Sequence, residues 1–477
     1  MVSTKTLNAT NLSSLGAVRL AELLLELAQG DAVIKRRLRL ELASQAGGSD
    51  VAAQIRKRLA TIARSKSFLD WNKVGPMAQD LEMQRSAIMT HVAPTHPGEA
   101  LELLWRLLDM APSIYGRCDD SNGAIGSVFE QALEDIGDVA KRARLDPARL
   151  ADRIHDALCA NDHDQFDDLI PLMATALGTD GLTMLKAKFE QLAASPPIPS
   201  EKDGRKIIAI SSHGPIFGDE YAARRRARLV QSALSDIADA LNDVDGYAAL
   251  HSEAERANPA IAASIAKRLL TSGRPQDALA ALALAESRMR QGGYWPDWHR
   301  VRIDALEASG MVDDAQRERW QLFETNLDRG YLKAFIKRLP DFDDVEAEMK
   351  ALAYARRFPD FHQALSFFLE WPAIDEAGRM VLDRHAELNG DHYWLLAPAA
   401  EAMEQRHPLA ATLLLRAMID FSLEKARSKR YPHAARHLQT CAHLARRIEE
   451  YGGHADHQAY VTGLKDRHGR KSGFWSA

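Results

Sequence analysis

An acidic cluster is the first group of residues whose types could do chemistry. It lies in the segment NDHDQFDD, which begins at Asn161 and ends at Asp168. Carboxylate oxygens are the ligands that Mg²⁺ and Ca²⁺ prefer, so Asp164, Asp167 and Asp168 are candidate ligands, close together at helical spacing. The same acids could form the first turn of the following helix, where they complement the helix dipole. We favour this second interpretation over a metal-dependent enzyme.

Histidine and cysteine residues near the carboxyl end form a second candidate group. His433, His437 and Cys441 are spaced four residues apart, and imidazole and thiolate are typical zinc ligands. The apolar residues Ala434 and Leu438 lie directly beside them, and a lone cysteine commonly packs as a small apolar side chain. Because no fourth ligand stands at a fixed spacing, we predict no bound metal and no cofactor.

The carboxyl-terminal tail combines cations with an aromatic pair, since basic side chains precede Phe474 and Trp475. Three roles are open. The tail could cap the last helical hairpin, dock a protein partner, or hold a phosphate while a ring stacks on a base. We favour capping. The tail residues predicted to contact a partner are Tyr460, Lys465, His468, Arg470, Lys471 and Trp475.

Aromatic pairs also mark two predicted hairpin edges. Large aromatic side chains on an exposed concave surface carry much of the binding energy of an interface. The residues predicted on this basis to contact a protein partner are Tyr294, Trp295, Trp298, Tyr393 and Trp394.

The motifs of the common enzyme classes are missing from the sequence: GxxxxGK[ST], GxGxxG, HExxH and GxSxG. The net charge of −5 gives no overall basic field to attract a polyanion, so a nucleic-acid contact would need a local patch. The three cysteines are isolated, which suits a reducing compartment. With no apolar run near the ~20 residues of a membrane span, we expect a cytoplasmic protein without membrane contact.

Helices must position these groups, because apolar residues recur at spacings of three and four through most of the chain. The clearest stripe begins at Ile125 and ends at Ala140, and a second runs from Phe166 to Leu177. With 46% hydrophobic residues the chain is globular. This pattern predicts an all-α protein whose helical hairpins stack into an α-solenoid.

One segment interrupts the helical pattern. Residues 195–219 contain four prolines, three glycines and the β-prone run from Ile207 to Ile210. They predict a linker or arm between a helical domain at 1–194 and a helical repeat domain at 220–477.

A spaced pattern recurs within the predicted repeat domain. Leu269-x3-Gly273-x4-Ala278 is repeated 37 residues later as Leu306-x3-Gly310-x4-Ala315. A looser third copy begins with Lys429-x-Tyr431-x2-Ala434. In a tetratricopeptide hairpin, whose period is about 34 residues, the glycine ends the first helix and the small residue lets the two helices approach. We therefore predict a degenerate tetratricopeptide-like array.

Two segments resemble a known family: NDHDQFDDLIPLMATALGTDGLTMLK, and the tail HADHQAYVTGLKDRHGRKSGFWSA. Both are similar to the helical region that follows the zinc motif in bacterial SWIM zinc-finger proteins. The whole chain resembles a group of uncharacterised proteobacterial helical proteins whose domain has no assigned function. The resemblance implies a bacterial helical-repeat module. It carries over no metal site, because the SWIM motif needs a Cys-x-Cys pair followed by Cys-x-His, and the sequence has no Cys-x-Cys pair.

Together these patterns predict a non-catalytic scaffold that binds a protein partner along a helical-repeat surface. The alternative is a nucleic-acid-associated factor that uses the basic tail.

Overall fold

The computed structural model describes residues 6–195, 207–211, 214–289 and 292–477. The chain divides into two compact units, Met1–Arg256 and Ala257–Ala477. Helices dominate the described part of both, so the predicted all-α class of stacked helical hairpins is confirmed.

Thirteen described helices form the first unit. They are α1 (Ala9–Ser13), α2 (Ala17–Ala28), α3 (Ala32–Ala46), α4 (Gly48–Arg64), α5 (Trp71–Ala87), α6 (Pro97–Leu108), α7 (Ala111–Tyr115), α8 (Gly126–Ala143), α9 (Pro147–Cys159), α10 (Leu169–Ala194), α11 (Gly218–Leu241), α12 (Val244–Ala249) and α13 (Glu253–Arg256). A π-helical turn, Ile88–Val92, continues α5.

Fourteen described helices form the second unit. They are α14 (Pro259–Thr271), α15 (Pro275–Ala283), α16 (Glu286–Met289), α17 (Pro296–Ala308), α18 (Val312–Asn326), α19 (Arg329–Ile336), α20 (Asp343–Arg356), α21 (Phe361–Glu370), α22 (Ile374–Arg384), α23 (Tyr393–Met403), α24 (Pro408–Glu424), α25 (Tyr431–Ala445), α26 (His457–His468) and α27 (Ser472–Trp475). Two 3₁₀ turns, His385–Glu387 and Ser428–Arg430, follow α22 and precede α25.

The core of the first unit follows the predicted apolar stripes. In α8 the residues from Val128 to Ala140 at helical spacing are buried, and they face α6 and α10. Trp105 of α6 is 2% exposed and its ring lies 5.8 Å from that of Phe166. Asp146 caps α9 by accepting a hydrogen bond from the Ala148 N–H, with Pro147 at the first helical position, as the sequence predicts.

The predicted linker or arm at 195–219 is described only in part, and its role stays a prediction. Residues 196–206 and 212–213 of it lie outside the described part of the chain. Residues 207–211 and 214–217 form an antiparallel hairpin of β1 (Ile207–Ser211) and β2 (Gly214–Phe217), so the β-prone run is a strand.

The helix after this hairpin belongs to the first unit. The buried residues Val230, Ala233 and Ile237 of α11 join the core that α8 and α10 build. The compact units therefore divide at Arg256, downstream of the predicted boundary, because α11 buries its apolar face on α10. Whether residues 1–194 fold independently stays a prediction.

The second unit repeats one helix–turn–helix geometry at the predicted positions. Gly273 follows α14 with a φ of +72°, and Gly310 follows α17 with a φ of +76°. Residues with a side chain rarely adopt this backbone region, so glycine is needed at both turns. Ala278 and Ala315, on the next helix in each case, are fully buried. In the third proposed copy Lys429, at the position of the glycines, lies in the 3₁₀ turn Ser428–Arg430, and the left-handed residue of the turn is Ala426 with a φ of +48°.

Candidate partner-binding surface

The carboxyl-terminal tail packs onto α24 and α25. Phe474 is buried, and its ring lies edge-on to that of Tyr431, with 6.4 Å between centroids. The Lys471 ammonium donates a hydrogen bond to the carbonyl oxygen of Leu423 near the end of α24. Trp475 Nε1 donates to the carbonyl oxygen of His468 at 3.0 Å. The tail thus covers the last helix pair, where a terminal cap is required.

Several tail cations have partners within the chain. The Arg467 guanidinium lies 3.4 Å from the Asp420 carboxylate and 3.7 Å from that of Glu424. The Lys465 ammonium lies 5.9 Å from the centroid of the Trp475 ring, whereas Arg470 is exposed. These contacts reduce the positive charge that the tail presents to solvent. Nucleic-acid binding by the tail stays a prediction.

The first predicted aromatic group is split by burial. Trp298 is 5% exposed and its Nε1 donates to the carbonyl oxygen of Leu282 at 3.2 Å, so this ring supports the core. Trp295 is half-buried, and Tyr294 is 80% exposed. Tyr460 of the tail group is also buried. In this conformation Tyr294 alone of these rings lies open to a partner.

The second aromatic group is exposed. Tyr393 and Trp394 begin α23, are 50% and 63% exposed, and lie edge-to-face at 5.5 Å. The Arg430 guanidinium lies 4.7 Å from the Tyr393 ring centroid and donates to Asp391 at 2.7 Å. Tyr393 and Trp394 thus form an exposed aromatic surface beside the ion pair of Arg430 and Asp391.

The histidine and cysteine candidates have separate environments. Cys441 is fully buried, and burial raises the pKa of its thiol to about 12. His433 Nδ1 lies 2.9 Å from the Arg436 guanidinium. Burial, and then the neighbouring His433 and Arg436, lower the pKa of His437. Among the described residues, no three His, Cys, Asp or Glu side chains are placed to hold a metal ion.

The acidic cluster lies in the turn that leads into α10. Asp168 occupies the N-cap position, and Asp167 accepts a hydrogen bond from Asn161 at 2.8 Å. Burial, opposed by that hydrogen bond, raises the pKa of Asp167. Asp162 pairs with Arg225 of α11 at 2.5 Å, within a cavity of about 610 Å³. The negative charge of the cluster is therefore balanced in part by Arg225.

A groove between α18, α19 and α20, which we call the Trp320 groove, was not anticipated from the sequence. Its volume is about 680 Å³. The Trp320 ring lies 5.2 Å from that of Phe335, and Trp320 Nε1 donates to Glu324 at 2.6 Å. The Lys350 ammonium lies 4.7 Å from the Trp320 ring centroid. The groove therefore has an aromatic floor held in place by α18 and α19.

The Trp320 groove has an acidic lining, and a different face of α20 carries an exposed apolar stripe. On α20 and the residue before it, three apolar side chains at helical spacing are 57–86% exposed: Phe342, Val345 and Met349. The charged residues that line the groove are Asp313, Arg317, Glu324, Asp343, Glu346 and Lys350. Acids thus outnumber bases by four to two. The apolar stripe at 342, 345 and 349 does not line the groove, but its exposure is the sequence signal that could have drawn attention to α20.

Comparison with known proteins assigns the chain to a family. Residues 2–477 match the model of DUF6880, a family of unknown function, and the chain belongs to that family. No curated protein matches the sequence. The resemblance to SWIM zinc-finger proteins stays a prediction.

A solved structure also aligns with the chain. It is described as a circular tandem repeat protein with novel repeat topology and enhanced subunit contact surfaces. The alignment covers 94% of this chain and 98% of that one, at 14% identity and a TM-score of 0.16. A score of this size supports no argument about fold or function.

Within the described residues, no helix is both long and apolar enough to cross a membrane.

Proposed function

We propose that the chain is a non-catalytic helical-repeat scaffold that binds a protein partner in the Trp320 groove. The observation that carries the proposal is the aromatic-floored groove itself, together with the exposed apolar stripe of Phe342, Val345 and Met349 on another face of α20. Exposed apolar side chains grouped on one surface mark interaction sites in soluble proteins. Trp and Arg anchors in such a groove supply most of the binding energy.

Charge identifies the chemistry of the partner. Four carboxylates against two cations give the groove a net negative lining, so a segment with an apolar anchor and flanking Lys or Arg residues fits it best. Glu324 already accepts the Trp320 N–H, whereas Asp343 and Glu346 are exposed on α20. These two acids are therefore the ones that would meet basic residues of the partner.

The predicted aromatic residues extend the proposal. The exposed Tyr393 and Trp394 provide a second contact on the same unit, and Tyr294 a third. We place the partner contacts of the tail on Lys465 and Arg470, because Lys471 and Trp475 are held by hydrogen bonds within the chain. The buried Trp298 and Tyr460 act by supporting the surrounding surface.

The test is selection of short peptides from a random library on the immobilised full chain, followed by affinity measurement of the selected peptides. We expect sequences with one large apolar residue flanked by Lys or Arg. Glu346→Lys, at an exposed position, should weaken their binding at least ten-fold by reversing the local charge. Trp320→Ala should weaken it as much by removing the floor.

The matched control is Trp71→Ala, which removes an 86% exposed tryptophan from the first unit and should leave binding within two-fold. Selection of no peptides, or selected peptides that bind the Glu346→Lys and Trp320→Ala variants as well as the unmodified chain, would overturn the proposal.

A further inference from the structure

Arg416 is a buried cation in the middle of α24. Its side chain is 5% exposed. The guanidinium lies 4.3 Å from the ring centroid of Tyr460 and 5.9 Å from that of Tyr451. Its Nη1 donates a hydrogen bond to the carbonyl oxygen of Ala455 at 2.7 Å. Two aromatic rings and one carbonyl therefore fix the plane and direction of the guanidinium.

The other two nitrogens of Arg416 are buried without a hydrogen-bond partner in the described part of the chain. They are Nε and Nη2. These two N–H groups point the same way along one side of the guanidinium, and this is the pair that a carboxylate or phosphate accepts in bidentate form. No carboxylate of the described residues forms an ion pair with Arg416, although thirty or more other ion pairs are present. A buried cation with an open fork is strongly unfavourable unless an anion completes it.

The surroundings of Arg416 are rich in groups that can donate. His457, which begins α26, has a buried Nδ1 with no partner among the described residues. Burial, and after it the Arg416 charge, lower the pKa of His457. His454 lies 4.4 Å from His385, ring to ring, and the same positive charge contributes to its lowered pKa. His457 lies in the chain between Ala455 and Tyr460, both of which contact the Arg416 guanidinium.

The acids in this region are engaged elsewhere. Asp456 accepts a hydrogen bond from the Ala459 N–H at 2.8 Å and so caps α26. Asp420 lies 3.4 Å from Arg467. Neither carboxylate completes the Arg416 fork.

We propose that Arg416 and His457 form a binding site for a small oxyanion, whose two oxygens accept from Arg416 Nε and Nη2 and also from His457 Nδ1–H. The segment 446–456 covers the site through Tyr451 and Ala455 and contains Gly452 and Gly453, both with positive φ. The site is separate from the Trp320 groove, so the two proposals stand or fall independently.

The oxyanion is either a phosphate group or a carboxylate, since both present two oxygens at the spacing of the fork. The test titrates the full chain, in a Tris–fluoride buffer free of chloride, phosphate, carboxylate and sulfonate, with inorganic phosphate in one arm and acetate in the other. Heat of binding and the midpoint of thermal unfolding are measured at constant ionic strength. We expect saturable one-site binding of one probe at least ten-fold tighter than of the other, which tells the two sources apart.

Three variants connect binding to the site. Arg416→Met keeps the length of the side chain but removes the fork, and should weaken binding at least ten-fold. Arg416→Lys keeps the charge without the parallel N–H pair and should weaken it by a similar factor. Arg406→Met removes an exposed arginine of the same unit, whose guanidinium lies 3.3 Å from Asp375, and should leave binding within two-fold.

Far-ultraviolet circular dichroism confirms that each variant is folded before titration. Binding of neither probe by the unmodified chain would overturn the proposal. Equal binding by the Arg416→Met, Arg416→Lys and unmodified chains would also overturn it, since the anion would then be an adventitious ion only.

Discussion

Asp80 in the first unit and Arg416 in the second are both buried charges, but their surroundings differ. Asp80 is 2% exposed and its carboxylate meets the guanidinium groups of Arg58 and Arg36, the latter at 3.3 Å. Gln84 adds a hydrogen bond at 3.3 Å. Arg416 has one neutral carbonyl partner among the described residues. Removing a partner from a completed buried charge is strongly destabilising, whereas a buried charge with an open side can be completed by a ligand.

Arg319 shows that the second unit can also surround a buried arginine with a carboxylate and a hydrogen-bond acceptor. It is 2% exposed, lies 2.6 Å from Glu307 and donates to Gln316 at 2.9 Å. Arg338 shares the same Glu307 carboxylate, and the two arginines lower the pKa of that group against the opposing effect of burial. The open fork of Arg416 is therefore a local property of α24 and α26, and not a general feature of this unit.

The largest effect is expected for Asp80→Ala. The change leaves Arg36 and Arg58 without their shared carboxylate, so the free energy of unfolding of the first unit should fall by about 3 kcal/mol. Urea unfolding followed by circular dichroism measures it. Glu99→Ala, which breaks the more exposed pair with Arg56, is the control and should cost less than about 1 kcal/mol. Equal losses in the two variants would contradict the importance assigned to burial.

Arg319→Met should have the next largest effect. It leaves Glu307 with Arg338 alone, and the loss of a charge-assisted hydrogen bond at a buried position costs about 2 kcal/mol. The same urea titration measures the change. A variant as stable as the unmodified chain would show that Arg319 contributes no net stability.

Arg416→Met should change stability by less than about 1 kcal/mol in buffer free of chloride and phosphate, because the loss of one hydrogen bond offsets the removal of an incomplete buried charge. Adding the anion that binds should stabilise the unmodified chain and leave the variant unchanged. A loss as large as that of Arg319→Met in anion-free buffer would mean that the Arg416 charge is already satisfied by the protein.

The smallest change in stability per residue is expected from the titration of histidines. Burial is the first cause that lowers the pKa of five histidines, all in the second unit: His362, His437, His454, His457 and His468. Below the ordinary histidine value of about 6.5, the unfolded chain takes up protons before the folded chain does. The second unit should therefore lose stability as the pH falls from 7.5 to 5.5.

Urea titrations at pH 7.5, 6.5 and 5.5 measure this loss. His437→Gln removes one of the five groups and should reduce the slope of stability against pH. A second unit that becomes more stable over this range would contradict the prediction.

The sequence predicted the helical elements well, because their signals are local. The stripe from Ile125 to Ala140 is buried in α8, and Asp146-Pro147 begins α9. The repeated glycines Gly273 and Gly310 end α14 and α17 at matching turns. Each of these signals involves residues only a few positions apart: the apolar spacing along a helix, the capping side chain and the glycine at the turn. A single sequence is therefore enough to predict them.

Tertiary packing decided which candidate residues are open to a ligand. Trp298 and Trp394 look alike in the sequence, yet Trp298 is buried against Leu282 and Trp394 is 63% exposed. The Trp320 groove needs three helices to form, and no local pattern specifies how they meet.

The sequence by itself determined the helices, their caps and the small residues at their turns. Only the tertiary structure decided that Asp80 lies between two arginines while the fork of Arg416 stays open. The physical reason is that the free energy of a charge depends on what surrounds it in space, and those neighbours come from helices distant in the chain.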